Sequence, residues 1–141
     1  MKTLQEVHEY LNDVGFFYLS TVDREKPKCR PMGVHMLIDG QLYFAVGNFK
    51  NTYAQMLANP YVEITAAKRP DWIRVFGRAV FEADDKIAES LLTQHPALRN
   101  IYCGDRKLKI FHLEQATAQF RSMLEVEEEF HFLERRYPYE F

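Results

Sequence analysis

The feature that most constrains the fold is a series of strand-like segments joined by turns too short to contain a crossover helix. Asp39-Gly40 is the clearest of these turns, because both residues tolerate the positive φ angles of a two-residue type I′ hairpin and the apolar run 42–46 follows directly. A second hairpin is predicted at Arg69-Pro70-Asp71, between strands at 61–68 and 72–82. Parallel strands need a connection of a dozen or more residues, so these turns predict antiparallel pairing.

The rest of the chain alternates further strands with helices. Strands are also predicted at 16–22, 28–38, 108–113, 118–124 and 130–133. Helices are predicted behind the Thr3–Glu6 capping box, from Asn51 or Thr52 to Asn59-Pro60, and behind Asp84 and Asp85 as far as Pro96. The acidic stretch 125–129 is interpreted as an exposed turn. So many strands predict a mainly β fold, an antiparallel sheet curled into a barrel with helices over its openings.

The composition narrows the range of partners. The 141 residues, 47% hydrophobic and 27% charged, predict one globular domain over 1–141. With 18 basic and 20 acidic residues, the chain has no basic field to attract nucleic acid or an anionic membrane. No run approaches the roughly 20 apolar residues that span a bilayer, and the polar start carries no signal core. We therefore expect a cytoplasmic protein.

Metal and thiol chemistry have little support in the sequence. The five histidines show no HExxH-like spacing, so no metal site is predicted. Cys29 and Cys103 are far apart and form no CxxC pair, which predicts free thiols. No sequence pattern ties either cysteine to a histidine base, so nucleophilic catalysis is not predicted.

Three segments together could bind a phosphorylated, flat ligand. Arg30 lies in a strand, and Lys50 and Thr52 lie where a helix begins, so a cation, a hydroxyl and free backbone N–H groups could take up a phosphate. Trp72 and Arg74 lie in the fifth strand and add an aromatic and a second basic side chain. Taken singly, each segment has an ordinary interpretation: solvated basic side chains, a helix cap and a packed aromatic residue.

The order of these segments resembles the FMN-binding split β-barrel of the pyridoxamine 5'-phosphate oxidase-like family. The resemblance covers nearly the whole chain and is carried by Arg30-Pro31-Met32 before the Asp39-Gly40 hairpin, by 42–47, by Lys50 with 59–64, and by 72–78. It implies an antiparallel split β-barrel, FMN as cofactor, and a homodimer with two FMN sites across its interface. It also implies electron or hydride transfer between FMN and an unidentified small molecule.

The resemblance also implies roles for particular residues. The phosphate candidates are Arg30, Lys50 and Thr52. The isoalloxazine ring would lie near the backbone of Pro31, Met32 and Gly33 and near Ala45 and Val46, with Trp72 and Arg74 approaching from the next hairpin. An apolar slot, backbone donors and acceptors, and nearby positive charge are what a flavin needs from a protein.

The chain also departs from the family's oxidases at two places. The Ser-Arg-Lys-like run before their phosphate helix is replaced here by 49–52, which leaves open which side chain reaches the phosphate. The arginine-rich C-terminal motif that they use for pyridoxal phosphate is not recognisable in 130–141, so oxidation of vitamin B6 is not the first expectation. The alternatives are a non-enzymatic flavin carrier or sensor, a related barrel that binds haem or a deazaflavin cofactor, and a structural dimer without a ligand.

Overall fold

The computed structural model describes residues 2–123 and 125–133, and within them the chain forms eight strands and three α-helices. The helices are α1 (Leu4–Val14), α2 (Asn51–Ala58) and α3 (Lys86–Gln94), and a 3₁₀ turn spans Pro96–Asn100. The strands are β1 (Phe17–Asp23), β2 (Lys26–Met32), β3 (His35–Ile38), β4 (Gln41–Gly47), β5 (Tyr61–Lys68), β6 (Asp71–Phe81), β7 (Leu108–Arg121) and β8 (Val126–His131). No helix among these residues has both the length and the apolarity to cross a bilayer.

The strands form one antiparallel sheet that curls into a half-barrel with peripheral helices, as the sequence predicts. Its order is β2-β1-β5-β6-β7-β4-β3, and β8 pairs with β7 beside this path. The β3–β4 hairpin turns at Asp39 and Gly40, whose φ angles of 49° and 77° are those of the predicted type I′ turn. The two ends of the path, β2 and β3, are consecutive in the chain and do not pair with each other.

The predicted strand at 28–38 is therefore wrong as a single element, because the chain leaves the ladder after Met32 and re-enters it at His35. β2 pairs with β1, whereas β3 pairs with β4 on the far edge of the sheet. Gly33 and Val34 connect the two edges. This connection is the place where the barrel is split, and it leaves one side of β2 and one side of β3 without a neighbouring strand among the described residues.

The two strands predicted at 108–113 and 118–124 are instead one strand, β7. Gln115 has a φ angle of 50°, and the register of β7 against β6 shifts between Phe76 and Arg78. A β-bulge at this point lets β7 stay paired with β6 on both sides of Gln115. Gly77 lies at this bulge, where an added Cβ would come within 2.7 Å of the Ala116 Cβ. Only a glycine allows β6 and β7 to approach so closely.

The interpretation of 125–129 as an exposed turn is also wrong. β8 begins at Val126 and pairs with β7, so Glu128 lies opposite Phe120 and Glu129 opposite Gln119. The strand predicted at 130–133 is the end of this element. An edge strand tolerates acidic side chains because water solvates its outer side.

The core fills the half-barrel and is closed by α1. Its largest fully buried side chains include Phe17, Phe44 and Phe111 from three strands, and α1 adds Val7 and Leu11. The predicted capping box begins this helix, since the Thr3 hydroxyl accepts a hydrogen bond from the Glu6 N–H at 3.4 Å. The apolar face of α1, which includes Val7 and Leu11, packs on the core and so determines the position of the helix.

A second apolar layer lies outside the sheet. Ala88, Leu91 and Leu92 of α3 pack on Tyr43 and Ile110, which project from the outer face of β4 and β7. All residues of β4 are buried, because this strand lies between the barrel core and α3. This explains why its sequence is a continuous apolar run rather than an alternating one.

Candidate cofactor-binding site

A groove of about 680 Å³ lies where the barrel is split, and we call it the split groove. It is formed by the end of β2, by Gly33 and Val34, by the end of β4, and by the start of α2. Eight of the ten site residues predicted from the sequence line it: Arg30, Pro31, Met32, Gly33, Ala45, Val46, Lys50 and Thr52. The fold thus brings together three segments that are up to about twenty residues apart in the chain.

One end of the split groove is cationic. Lys28, Arg30 and Lys50 line it together with one acidic residue, Asp23. Lys50 is the residue before α2, and its side chain makes no capping hydrogen bond to the first turn of the helix. The Tyr53 N–H donates to the Lys50 carbonyl at 3.1 Å, so the N–H groups of Asn51 and Thr52 and the positive end of the helix dipole are available to an anion.

Arg30 is held in place by partners on two elements. Its Nη1 donates to the Thr21 hydroxyl at 2.7 Å and to the Leu19 carbonyl at 3.1 Å, and its Nη2 donates to the Gln55 Oε1 at 2.9 Å. The Thr21 hydroxyl in turn donates to the same Gln55 oxygen at 2.7 Å. The guanidinium is thus a fixed positive charge that ties β1 and β2 to α2.

Burial lowers the pKa of the Arg30 guanidinium by removing water from the charged form. An arginine nevertheless stays protonated in proteins, so the charge persists at neutral pH. Sequence reasoning missed Thr21 and Gln55. The spacing of three residues from Thr52 to Gln55, which places both on one face of a helix, is a signal that could have found Gln55.

The other end of the split groove is uncharged and is lined by Pro31, Met32, Gly33, Ala45 and Val46. Here the unpaired side of β2 presents backbone donors and acceptors to the groove. Tyr102 also lines the groove, with its ring 5.9 Å from that of Phe49 between centroids, and was missed because it lies in an irregular segment after the 3₁₀ turn. Burial raises the pKa of its hydroxyl, which keeps it a neutral hydrogen-bond donor.

Trp72 and Arg74 lie away from the split groove. The Trp72 Nε1 donates to the Ser122 carbonyl at 3.0 Å, and its ring lies between the guanidinium groups of Arg74 and Arg121, each 5.0 Å from the ring centroid. Arg74 also pairs with Glu63 at 3.0 Å. One protomer therefore does not bring these two residues to the other eight, and their approach to a ring stays a prediction that needs a second copy of the chain.

A second cavity, of about 710 Å³, begins on the other side of Gly33 and Val34 and is lined by α1, β3, α3 and the 3₁₀ turn. We call it the histidine cavity, because His8 and His35 meet in its wall with their Nδ1 atoms 2.8 Å apart. At that distance one ring donates and the other accepts. Burial and then the neighbouring His8 lower the pKa of His35 to about 4, and burial lowers that of His8.

The shifted pKa of His35 predicts that acid destabilises the fold. The unfolded chain binds a proton at this residue near its ordinary pKa of 6.5, whereas the folded chain binds it only near 4. The stabilisation is therefore complete above pH 6.5 and is lost as the pH falls towards 4. His35→Phe should flatten this dependence when urea midpoints are compared at several pH values in that window. A variant that keeps the full wild-type slope would contradict the assignment.

Comparisons with known proteins are consistent with the architecture. A family model described as pyridoxamine 5'-phosphate oxidase matches residues 3–122. No curated protein sequence matches the chain with significance. A NimC/NimA family protein from Clostridium acetobutylicum superimposes with a TM-score of 0.79 and 27% identity over 91% of each chain.

More distant solved structures share the fold alone. General Stress Protein 26 from Bacillus anthracis has a TM-score of 0.68 and 18% identity, with 91% of this chain and 97% of that chain covered. A haem-binding protein from Mycobacterium smegmatis has a TM-score of 0.64 and 12% identity, with 93% of this chain and 59% of that chain covered. The chain thus shares a scaffold with proteins whose names differ in the role that they indicate.

Proposed function

Since the chain belongs to the pyridoxamine 5'-phosphate oxidase family, we propose that it is a flavoprotein that binds FMN in the split groove and transfers electrons between FMN and a small molecule. The observation that carries this proposal is the division of one groove into a cationic end and an uncharged end. FMN has the same division, because a phosphate dianion and a largely apolar ring lie at its two ends.

At the cationic end, each predicted residue has a distinct task. Lys50 would place its ammonium group beside the phosphate, while the first-turn N–H groups of α2 donate to phosphate oxygens. The Thr52 side chain is 8% exposed and would add a hydroxyl donor from within the groove wall. Arg30 would contribute a charge whose position is fixed by Thr21 and Gln55 before the ligand arrives.

At the uncharged end, the backbone supplies the recognition. The unpaired edge of β2 would hydrogen-bond to the pyrimidine edge of the ring, and Met32 and Val46 would contact its apolar part. Bound FMN supplies the redox chemistry itself. The protein's contribution is to bind the cofactor, orient it and keep cationic groups near its phosphate.

We further propose a homodimer with the cofactor sites at its interface, located in the cytoplasm. The half-barrel leaves large aromatic side chains uncovered, among them Phe16, Tyr18 and Tyr61 at 70%, 49% and 57% exposure. A twofold-related copy would cover such a surface. It would also allow Trp72 and Arg74 of one protomer to approach the split groove of the other.

The test is to purify the protein, identify its cofactor by absorbance and mass spectrometry, and add NADH or NADPH without oxygen. We expect the purified protein to contain FMN. We also expect the visible absorbance of the FMN to fall after the nucleotide is added, because the flavin is reduced. FMN that neither nucleotide reduces would favour the non-enzymatic carrier or sensor. Haem or a deazaflavin in its place would contradict the FMN assignment, and a protein that binds none of these would favour the structural dimer.

A further inference from the structure

The histidine cavity differs from the split groove in its charge. Among the described residues that line it, none is aspartate, glutamate, lysine or arginine. Its walls are mainly apolar and include Met36, Ile38, Leu91 and Leu98. The split groove, by contrast, includes three basic residues and one acid. A charged ligand would lose its hydration in the histidine cavity without gaining an ionic partner from the wall, which is costly.

The polar side chains that line the cavity are uncharged amides, a hydroxyl and imidazoles: Asn12, Ser90, Gln94, His8, His35 and His95. The His8–His35 pair forms one hydrogen bond between its Nδ1 atoms. The rings are 4.6 Å apart and nearly perpendicular, and Phe17 packs against His35 from the core side. Both imidazoles are held neutral at neutral pH by burial. The Asn12 Nδ2 contacts the His8 Nε2 at 3.4 Å. Among the described residues, the His35 Nε2 is therefore the nitrogen of the pair that remains for a neutral hydrogen bond to a ligand.

The cavity also lies next to the proposed flavin site. Gly33 and Val34 line both spaces, so a ligand in the histidine cavity is separated from the uncharged end of the split groove by this two-residue connection. Gly33 carries no side chain, and the nearest atom to an added Cβ there would be 3.7 Å away on Phe16. The barrier between the histidine cavity and the split groove is thus thin, and no pair of strands forms part of it.

We propose that the histidine cavity is a second ligand site, which takes an uncharged, largely apolar small molecule with a hydrogen-bonding group directed at His35. A volume of about 710 Å³ is within the range of small-molecule sites. Its position beside Gly33 identifies this molecule as the substrate of the flavoprotein. That last assignment rests on the proposed FMN function, whereas the ligand class does not.

The test uses two fluorescent probes with the same aromatic skeleton. N-phenyl-1-naphthylamine is neutral, and 8-anilinonaphthalene-1-sulfonate adds one negative charge. We expect the neutral probe to bind about tenfold or more tightly than the anionic one, because the sulfonate would be desolvated without a cationic partner. The fluorescence of the bound neutral probe should also be quenched when FMN is bound, because FMN absorbs light at the wavelengths that the probe emits and lies close to it.

Variants of α3 locate the bound probe. Ser90 lines the cavity and is exposed, so Ser90→Phe should fill the space without disturbing the core and weaken the neutral probe by about tenfold or more. Thr93→Phe adds the same side chain to the same helix outside the cavity and should leave the affinity unchanged. FMN titration of the same proteins should give the wild-type affinity for both variants.

Three outcomes would overturn the inference while leaving the FMN proposal intact. The first is neutral-probe binding that Ser90→Phe does not change, and the second is equal binding of both probes. The third is that no probe binds and that sedimentation finds a dimer for the wild type but a monomer for Ser90→Phe. That result would mean that the cavity is part of the dimer interface. Probe binding as expected in a protein that binds no FMN would support the ligand class and overturn the flavin function instead.

Discussion

Replacing Lys50 by methionine is expected to weaken FMN binding by about ten- to a hundredfold, because a charge-assisted hydrogen bond to phosphate contributes roughly 1.5–3 kcal/mol. Riboflavin lacks the phosphate, so its affinity should not change. Lys50 is exposed and is not part of the core, so the variant should keep its fold. Fluorescence titration of both flavins against the stripped protein measures the difference.

Lys86→Met is the matched control for this prediction. Lys86 is also exposed and also lies at the start of a helix, but it does not line the split groove. The control variant should bind FMN as tightly as the wild type does. If Lys50→Met lowers the affinities for FMN and riboflavin equally, or lowers neither, the phosphate does not bind beside Lys50.

Phe111→Ala is expected to lower the free energy of unfolding by about 3–5 kcal/mol, the usual cost of removing a fully buried phenylalanine. Its ring is 0% exposed and stacks on Phe44 at 5.5 Å between centroids. It also meets the ring of Phe81 at 5.6 Å, so its loss leaves a cavity bounded by two strands. Urea unfolding followed by circular dichroism measures the change.

Leu57→Ala is the control for this stability measurement. Leu57 is 60% exposed on α2, so its truncation removes little buried apolar area and should change the unfolding free energy by less than about 0.5 kcal/mol. If Phe111→Ala costs no more than this control, the packing of the half-barrel around Phe111 is not as described. A large loss in both would mean that α2 is covered by a partner.

The hairpins and helices could be predicted because their signals are local. Asp39-Gly40 fixes a two-residue turn by its own backbone preferences, and Thr3 fixes a helix start by one hydrogen bond. The break between β2 and β3 could not be predicted in this way. The residues on both sides of Gly33 and Val34 have the composition of a strand, and pairing is interrupted at these two residues only because the barrel does not close, which is a property of the whole sheet.

The same distinction applies to the candidate site. Eight of its residues were predicted from the family that the segment order resembles, and they line one groove because two strand ends and a helix start meet at the split. The clamp on Arg30 by Thr21 and Gln55 depends on side chains that meet from three elements. The spacing from Thr52 to Gln55 places Gln55 on the right face of α2, but no local pattern reports that it meets Arg30 and Thr21. Trp72 and Arg74 belong to a different surface of the protomer, so only an assembly of two chains could bring them to the site.

Titration of the stripped protein with FMN and with riboflavin measures whether the split groove recognises the phosphate of FMN. We expect about one FMN per subunit and an affinity roughly a hundredfold above that for riboflavin, because the phosphate would meet a lysine, an arginine and a helix N-terminus. Equal affinity for the two flavins, or no binding of either, would mean that the split groove does not recognise this phosphate.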